Sequence, residues 1–430
     1  MALPWVLWFV VAAPTAWAGV LDPRLEGSVF CLLGETFIPD NDSRFVSGLS
    51  SGGFVLGYKK GSSLRVLAAL FDEDGQQVGP EIVVDEPFVG EQEQPDTVIG
   101  SADGRWLVTW SGHGSPGTDQ SLTSVKARLF ADSGTPLGDS FQVNSFELEV
   151  QSKSNAVFLA DGGFVVVFES SSPLPLVNDI RARIFSADGQ PAGDDFIVNG
   201  TGEGRRPEVV ALPDGGFVVA YRALTADNDS LGLGVRHYDA LGAVRSTQFI
   251  PVEEDPEEGV VGIRAEVDPG DSTLLLAVVI NQRQGELDRL VTRLVDLRRV
   301  GDRFLKTHTF EVVSPASLSA NWDPSLLVPG GPLKTLVWDR NLEGLGDDFE
   351  VLARSFSQSI EPVSETIRVD DPIEHSTPGA ALVGDHRAIV AWRPVVGTCE
   401  MEGRFLRLPE VLFMDGFEDG TTAAWSSTVP

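Results

Sequence analysis

The side chains of this sequence that could do chemistry are mostly carboxylates, and they gather in neighbouring sets. Glu91 lies beside Glu93, Glu253 beside Glu254 and Asp255, Glu257 beside Glu258, Asp347 beside Asp348, and Asp370 beside Asp371. Carboxylates that converge on one point hold calcium through oxygen ligands. Glu91, Glu93, Glu253, Glu254, Asp255, Asp370 and Asp371 are therefore the candidate metal ligands, and calcium is the one cofactor the sequence suggests. The competing reading is a set of solvated loop charges, since none of these pairs follows EF-hand spacing. A pair flanking a sugar linkage would instead serve as acid and base in a glycoside or polymer hydrolase.

Other catalytic patterns are missing. The histidines His113, His237, His308, His375 and His386 are scattered, with no HxxxH or HExxH pair to seat zinc and no GxSxG turn to present a nucleophile. His113, in a loop, is the best placed of them. A sialidase-like site would need turns of the form SxDxGxTW, which the turn at Asp132 to Gly134 does not complete. No catalytic residue is assigned on these grounds.

Cys31 and Cys399 are the only thiols. In an oxidising compartment pairing is the default, and in the chain-entropy model a bond that closes so long a loop stabilises strongly. The strand register implied by the repeat places Cys31 several residues before the strand that pairs with the one Cys399 begins, so two separate cysteines remain an equal alternative.

These groups need a scaffold, and the scaffold is repetitive. DGGFVVVFES at Asp161 and DGGFVVAYRA at Asp214 are near copies, as are ARLFADSGTPLGDSFQV around Phe130 and ARIFSADGQPAGDDFIV around Phe185. Aligned on the residue after the glycine turn, the units begin at Phe54, Trp106, Phe164, Phe217, Leu274, Lys334 and Ala388. Four positions later stand Tyr58, Trp110, Phe168, Tyr221, Val278, Trp338 and Trp392, on the same face of a strand because side chains alternate with period two.

Another strand ends in Phe71, Phe130, Phe185, Tyr238, Val295, Phe356 and Leu406. A further series marks an outer strand: Phe37, Ile82, Phe141, Phe196, Phe249, Phe304 or Phe310, and Ile367. With the strand before each glycine turn, every unit has four strands. The pattern predicts an all-β fold, a seven-bladed β-propeller of four-stranded antiparallel blades. Because Phe37 precedes the first unit and the last unit lacks an outer strand, Glu35 to Pro39 is expected to pair with Glu400 to Leu406 and close the ring. An open array of repeats, or a ring of six or eight, is the structural competitor.

The units resemble a broad class of bacterial exported repeat proteins in which GGFVVVW, RxFDADGxPxG and FxVN recur, over roughly residues 35 to 407. That resemblance implies export and a repeated β architecture, and no reaction. The ending LFMDGFEDGTTAAWSSTVP, from Leu412 to Pro430, resembles the DGFESGDTSAWS endings of such proteins. It implies a sorting or attachment signal, with a plain flexible end (411–430) as the alternative.

The first 18 residues are apolar and end in Ala16-Trp17-Ala18, as a signal peptide does, though no positive n-region precedes them. The expectation is a protein that is secreted or held at the cell surface, with residues 19–410 forming the propeller and no transmembrane segment in the mature chain. With 63 acidic against 32 basic residues the net charge is −31, which repels phosphate backbones and excludes nucleic acid as a partner. The function read from all this is an exported, non-enzymatic binding or scaffold protein. Its partner would be an extracellular protein, carbohydrate or cation, met on the face that carries the longer, dissimilar loops. The alternative is the extracellular hydrolase, with paired carboxylates in the central channel.

Overall fold

Runs of β-branched and aromatic residues cut by glycine turns form strands here and nothing else: among the described residues of this computed structural model every regular element is a β-strand. The structure describes residues 23–409 except 34–36, 39–43, 61–64, 87–91, 115–118, 120–121, 172–177, 201, 225–229, 252–258, 285–286, 313–323, 330–332, 342–348, 371–374, 385 and 395–398. The strands gather into seven antiparallel sheets. We number these blades 1 to 7 in the order of their glycine turns.

The innermost strands are Val46–Gly48, Gln92–Gly100, Gln151–Phe158, Glu203–Ala211, Gly259–Val267, Ser325–Leu327 and His375–Leu382. Each touches the next, and the last returns to the first, so the blades form a closed ring and the fold is a seven-bladed β-propeller. Approach near the axis is close. A Cβ on Gly48 would lie 1.8 Å from the Leu382 carbonyl oxygen, so only glycine fits where blade 1 meets blade 7.

The aromatic series hold the blades together. Phe54 stacks on Phe71 and Phe164 on Phe185, each at 4.9 Å between centroids, and Trp106 stacks on Phe130 at 4.1 Å. These pairs face neighbouring blades. Trp106, Trp110 and Phe130 of blade 2, for example, share one buried cluster with Val55, Val66, Ala68 and Leu70 of blade 1. In blade 6 Lys334 takes the aromatic position, fully buried, its ammonium 3.5 Å from Asp268 of blade 5.

The RxF and FxVN motifs prove to be two halves of one latch. Arg128 donates to the carbonyls of Val83 and Val84 in the preceding blade, Arg183 to Val143, Arg236 to Val198, and Arg404 to Val369. The Asn that follows each of Val143 and Val198 turns back into its own blade. Asn144 Oδ1 accepts from the Val125 N–H at 3.0 Å, and Asn199 Oδ1 accepts from Ile180 at 2.9 Å. Buried carbonyls at the end of each short outer strand are thereby satisfied by a charge-assisted donor from the next blade.

Ring closure differs from the expected register. The closing strand is Arg24–Leu33, paired antiparallel with Met401–Arg407, while Phe37–Ile38 pairs with Lys59–Lys60 on the inner side of blade 1. The outer-strand series explains the shift. Its members stand opposite small or aliphatic residues of the third strand, Phe141 opposite Ala127 and Ile367 opposite Ala353, and in blade 7 that place, opposite Gly403, is filled by Phe30. Phe37 only imitates it in sequence. With the strand moved earlier, Cys31 comes beside Glu402 in the ladder, and a disulfide joins Cys31 to Cys399 with Cα atoms 5.7 Å apart.

Candidate functional site

The propeller's axis is lined by the innermost strands, and their register decides which side chains meet there. In each blade one residue lies opposite the third position after the glycine-turn residue. These are Thr97, Asn155, Glu208, Arg264 and Ser325 in blades 2 to 6, opposite Thr109, Val167, Ala220, Ala277 and Val337. All five are polar and all are buried. The layer two residues on is otherwise Ile99, Val157, Val210, Leu327 and Ala381, with Ser47 and Glu266 as its polar members.

Arg44, from blade 1, reaches across the axis to this polar layer. Its Nη2 donates to Glu208 Oε1 of blade 4 at 2.6 Å, and Arg264 Nη1 of blade 5 donates to the same oxygen at 2.9 Å. Asn155 of blade 3 donates to Glu208 Oε2 at 2.9 Å. Blades 1 and 4 stand three apart in a ring of seven, so the Arg44–Glu208 pair spans the channel and floors it. A carboxylate held by two guanidiniums and an amide is a structural anion. Both of its oxygens are committed to these partners.

Asp96 is likewise engaged. Buried between blades 2 and 3, it accepts from Ser111 Oγ at 2.8 Å, Ser154 Oγ at 2.7 Å and the Ser154 N–H at 3.1 Å. Burial pushes its pKa up to about 6, against the opposing pull of the Ser154 hydroxyl and the Lys153 charge. Glu266 is different. Deep in the molecule, with its side chain open to the lumen, it has its pKa pushed up to about 8, first by desolvation and then by the Glu208 carboxylate, against the pull of Arg264. Lumen water screens part of that push, so the direction carries the argument: Glu266 holds a proton far more readily than an ordinary glutamate.

Above this floor lies a cavity of about 490 Å3 reached by all seven innermost strands. It continues into a second space of about 750 Å3 bounded by glycine turns, walled by Ile99, Val157, Phe158, Leu212, Pro213 and Val267. Arg105 braces the rim, its Nη2 donating to Asp103 and to the Gly162 carbonyl, each at 2.6 Å. The described concavity thus opens on the face of the tight glycine turns, opposite the long-loop face singled out by the sequence.

The sequence-derived ligands do not meet there. Glu91, Glu253, Glu254, Asp255 and Asp371 lie outside the described residues, as do the pairs Glu257–Glu258 and Asp347–Asp348, and Glu93 is described only in its backbone. Asp370 is buried and accepts from Arg368 Nε at 2.8 Å. It stands at the Asn position of the latch motif, as Asp85 does in blade 1, which accepts from Arg65 and the Val66 N–H. Among the described residues no three His, Cys, Asp or Glu side chains are grouped to hold a metal ion. His113 is exposed, and its carbonyl accepts from Gln92 and from the buried Lys126.

Arg44, Glu208, Arg264 and Glu266 escaped sequence reasoning because each looks like an ordinary surface charge, Arg44 in a turn and the other three in strands. The signal in the sequence was positional: Glu208 and Arg264 fall where the aligned innermost strands of other blades carry Thr97, Asn155 and Ser325.

No protein-family model and no curated protein matches the sequence. Solved structures do. A polysaccharide lyase, Uly1, superposes with a TM-score of 0.52 at 10% identity over 88% of this chain and 90% of its own. Raptor from Chaetomium thermophilum gives 0.51 at 9% identity over 92% of this chain and 30% of that one. The GH93 α-L-arabinofuranosidase of Fusarium graminearum gives 0.44 at 12% identity, over 71% of this chain and 90% of that one. At such identities the likeness is one of fold. The chemistry of this chain rests on its own residues.

Proposed function

We propose that this chain is an exported, non-catalytic binding protein that seats its ligand in the axial funnel on the glycine-turn face. The observation that carries this reading is the Arg44–Glu208–Arg264 network, which blocks the lumen and commits the carboxylate best placed to partner Glu266. Acid–base hydrolysis needs two carboxyl groups about 5 to 9.5 Å apart, each free to gain, lose or share a bond. A funnel with largely apolar walls and a polar floor is the usual form of a site that binds and orients. Carbohydrate suits it, offering an apolar ring face to Phe158 and hydroxyls to the floor.

Export by residues 1–18, residence outside the cell and a sorting role for residues 411–430 complete the proposal; both segments lie outside the described residues. It is tested by incubating the purified protein with a panel of neutral and acidic polysaccharides, measuring retention on immobilised glycan together with release of reducing ends or unsaturated products. Retention without product is the expected result, and steady product formation with wild-type protein overturns it.

A second reading, the extracellular hydrolase, is favoured by one observation. Desolvation and the Glu208 carboxylate raise the Glu266 pKa, favouring the protonated form that a general acid needs. Product formed by wild-type protein and lost in Glu266→Gln would establish it.

A further inference from the structure

A separate feature lies at the long-loop end of blade 4. Arg205 and Arg222 stand directly opposite each other in the ladder between Glu203–Ala211 and Phe217–Leu224, so their side chains leave the same face with Cβ atoms about 5 Å apart. Arg206 follows at the bulge of the inner strand with a φ of 50°, a left-handed conformation that costs a side-chain-bearing residue free energy. Lys153 takes the same place in the bulge of blade 3 with a φ of 54°, so the conformation belongs to the repeat, while the cluster of three arginines belongs to blade 4 alone of these two.

The neighbouring carboxylates serve only part of this group. Glu203 accepts from Arg205 Nη2 at 3.0 Å, and Glu169 of blade 3 accepts the backbone N–H of Arg206 at 2.7 Å. Arg222 is left over. Among the described residues it makes no hydrogen bond or ion pair, and its Nε is buried without a partner. Burial, then repulsion from Arg205 and Arg206, pulls its pKa below the ordinary arginine value. Glu169 and Glu203 pull the other way through space, yet among the described residues neither they nor any other carboxylate forms an ion pair with Arg222.

We propose that Arg205, Arg206 and Arg222 form a binding site for an oxyanion, a carboxylate, sulfate or phosphate group borne by a ligand that approaches the long-loop face. Guanidinium forks match the oxygens of such groups with paired, charge-assisted hydrogen bonds. The anion would supply the acceptor that Arg222 Nε lacks and cancel the repulsion among the three. On a surface that otherwise repels anions, a small basic focus admits an anionic group only where that group is chemically read. This site is independent of the axial funnel, which opens on the opposite face.

The test uses the full chain, wild type and Arg222→Gln, melted at constant ionic strength with chloride replaced stepwise by inorganic sulfate or inorganic phosphate. Parallel arms contain a uronic-acid oligosaccharide, a sulfated oligosaccharide and a neutral one. Wild-type protein is expected to gain thermal stability with at least one anionic probe beyond the gain seen in Arg222→Gln, with at least tenfold weaker binding of that probe to the variant. Without anion the variant should melt at or above wild type, because the substitution removes a repelled charge. General stabilisation by sulfate acts equally on both proteins, so the difference between them is the readout. Equal responses in the two proteins overturn the proposal. So does a variant that melts lower than wild type without anion, since the guanidinium would then be holding structure. A neutral oligosaccharide that stabilises both proteins alike, with no anion-specific difference, would defeat this site and leave the funnel reading standing.

Discussion

Replacing Cys31 with serine removes the one covalent link between the closing strand and the blade it completes. The bond joins residues 368 apart in sequence, so in the oxidised protein the unfolded chain is confined to a ring over most of its length. The chain-entropy model values a loop of that size at about 6 kcal/mol, and measured losses of native disulfides run at about 2 to 5 kcal/mol. The lower range applies here, because the ladder from Arg24 to Leu33 against Arg407 to Met401 persists when the sulfurs are parted. A domain of this size has an unfolding entropy of about 0.8 kcal/mol/K. A loss of ~4 kcal/mol therefore lowers Tm by about 5 °C. Melts followed by far-ultraviolet circular dichroism would compare the oxidised protein, the protein in reductant, Cys31→Ser and the double variant with Cys399→Ser. The double variant should match the single one, since either change breaks the same link. A Tm within about 1 °C of wild type, with no response to reductant, would refute the reasoning by showing that the ring does not open at this seam.

Other expectations follow from the channel and the latches. Asp96 and Glu266 both have folded-state pKa values raised above those of the unfolded chain, so their contribution is complete below about pH 4 and is lost as pH rises through about 6 and about 8 respectively. Stability should therefore fall between about pH 4 and about pH 8. Glu266→Gln should flatten the upper part of that slope and raise Tm at about pH 8, whereas an unchanged slope in the variant would remove Glu266 as its source. Glu208→Gln strips the shared anion from Arg44 and Arg264. It should cost about 3 to 5 kcal/mol in urea unfolding; a loss under about 1 kcal/mol would mean that lumen water already screens the pair. Arg183→Ala breaks the bonds to Val143 and Gly193, each 2.8 Å. A loss of ~2 kcal/mol is expected, and Arg128→Ala, at the equivalent latch, should behave alike.

The fold was legible because a propeller writes its period into the chain. Glycine turns need residues that tolerate positive φ, and Gly104, Gly162 and Gly215 all have it. Aromatic residues four apart share a strand face, so the spacing of Trp106 with Trp110, or of Phe164 with Phe168, is enough to mark the blade interface. Closure was legible in kind and misplaced in register. Phe30 and Phe37 are both aromatic residues near the N-terminus, and choosing between them requires knowing which one faces Gly403.

The site was harder to read, for a physical reason. A strand's sequence gives the alternation of its faces, whereas the convergence of seven inner strands on one axis depends on how the blades stand against one another. Glu208 lies 164 residues from Arg44 and 56 from Arg264, and Asp370 looked like one of a pair of loop acids until its bonds to Arg368 placed it in a latch. By itself, then, the sequence determined the all-β class, the repeat and the four-stranded blade, because those follow from local periodicity and turn chemistry. The tertiary structure alone decided that Arg24–Leu33 closes the ring, that Cys31 meets Cys399, and that Arg44, Glu208, Arg264 and Glu266 gather at the axis. Those contacts join residues brought together only when the ring closes, and no local pattern records them.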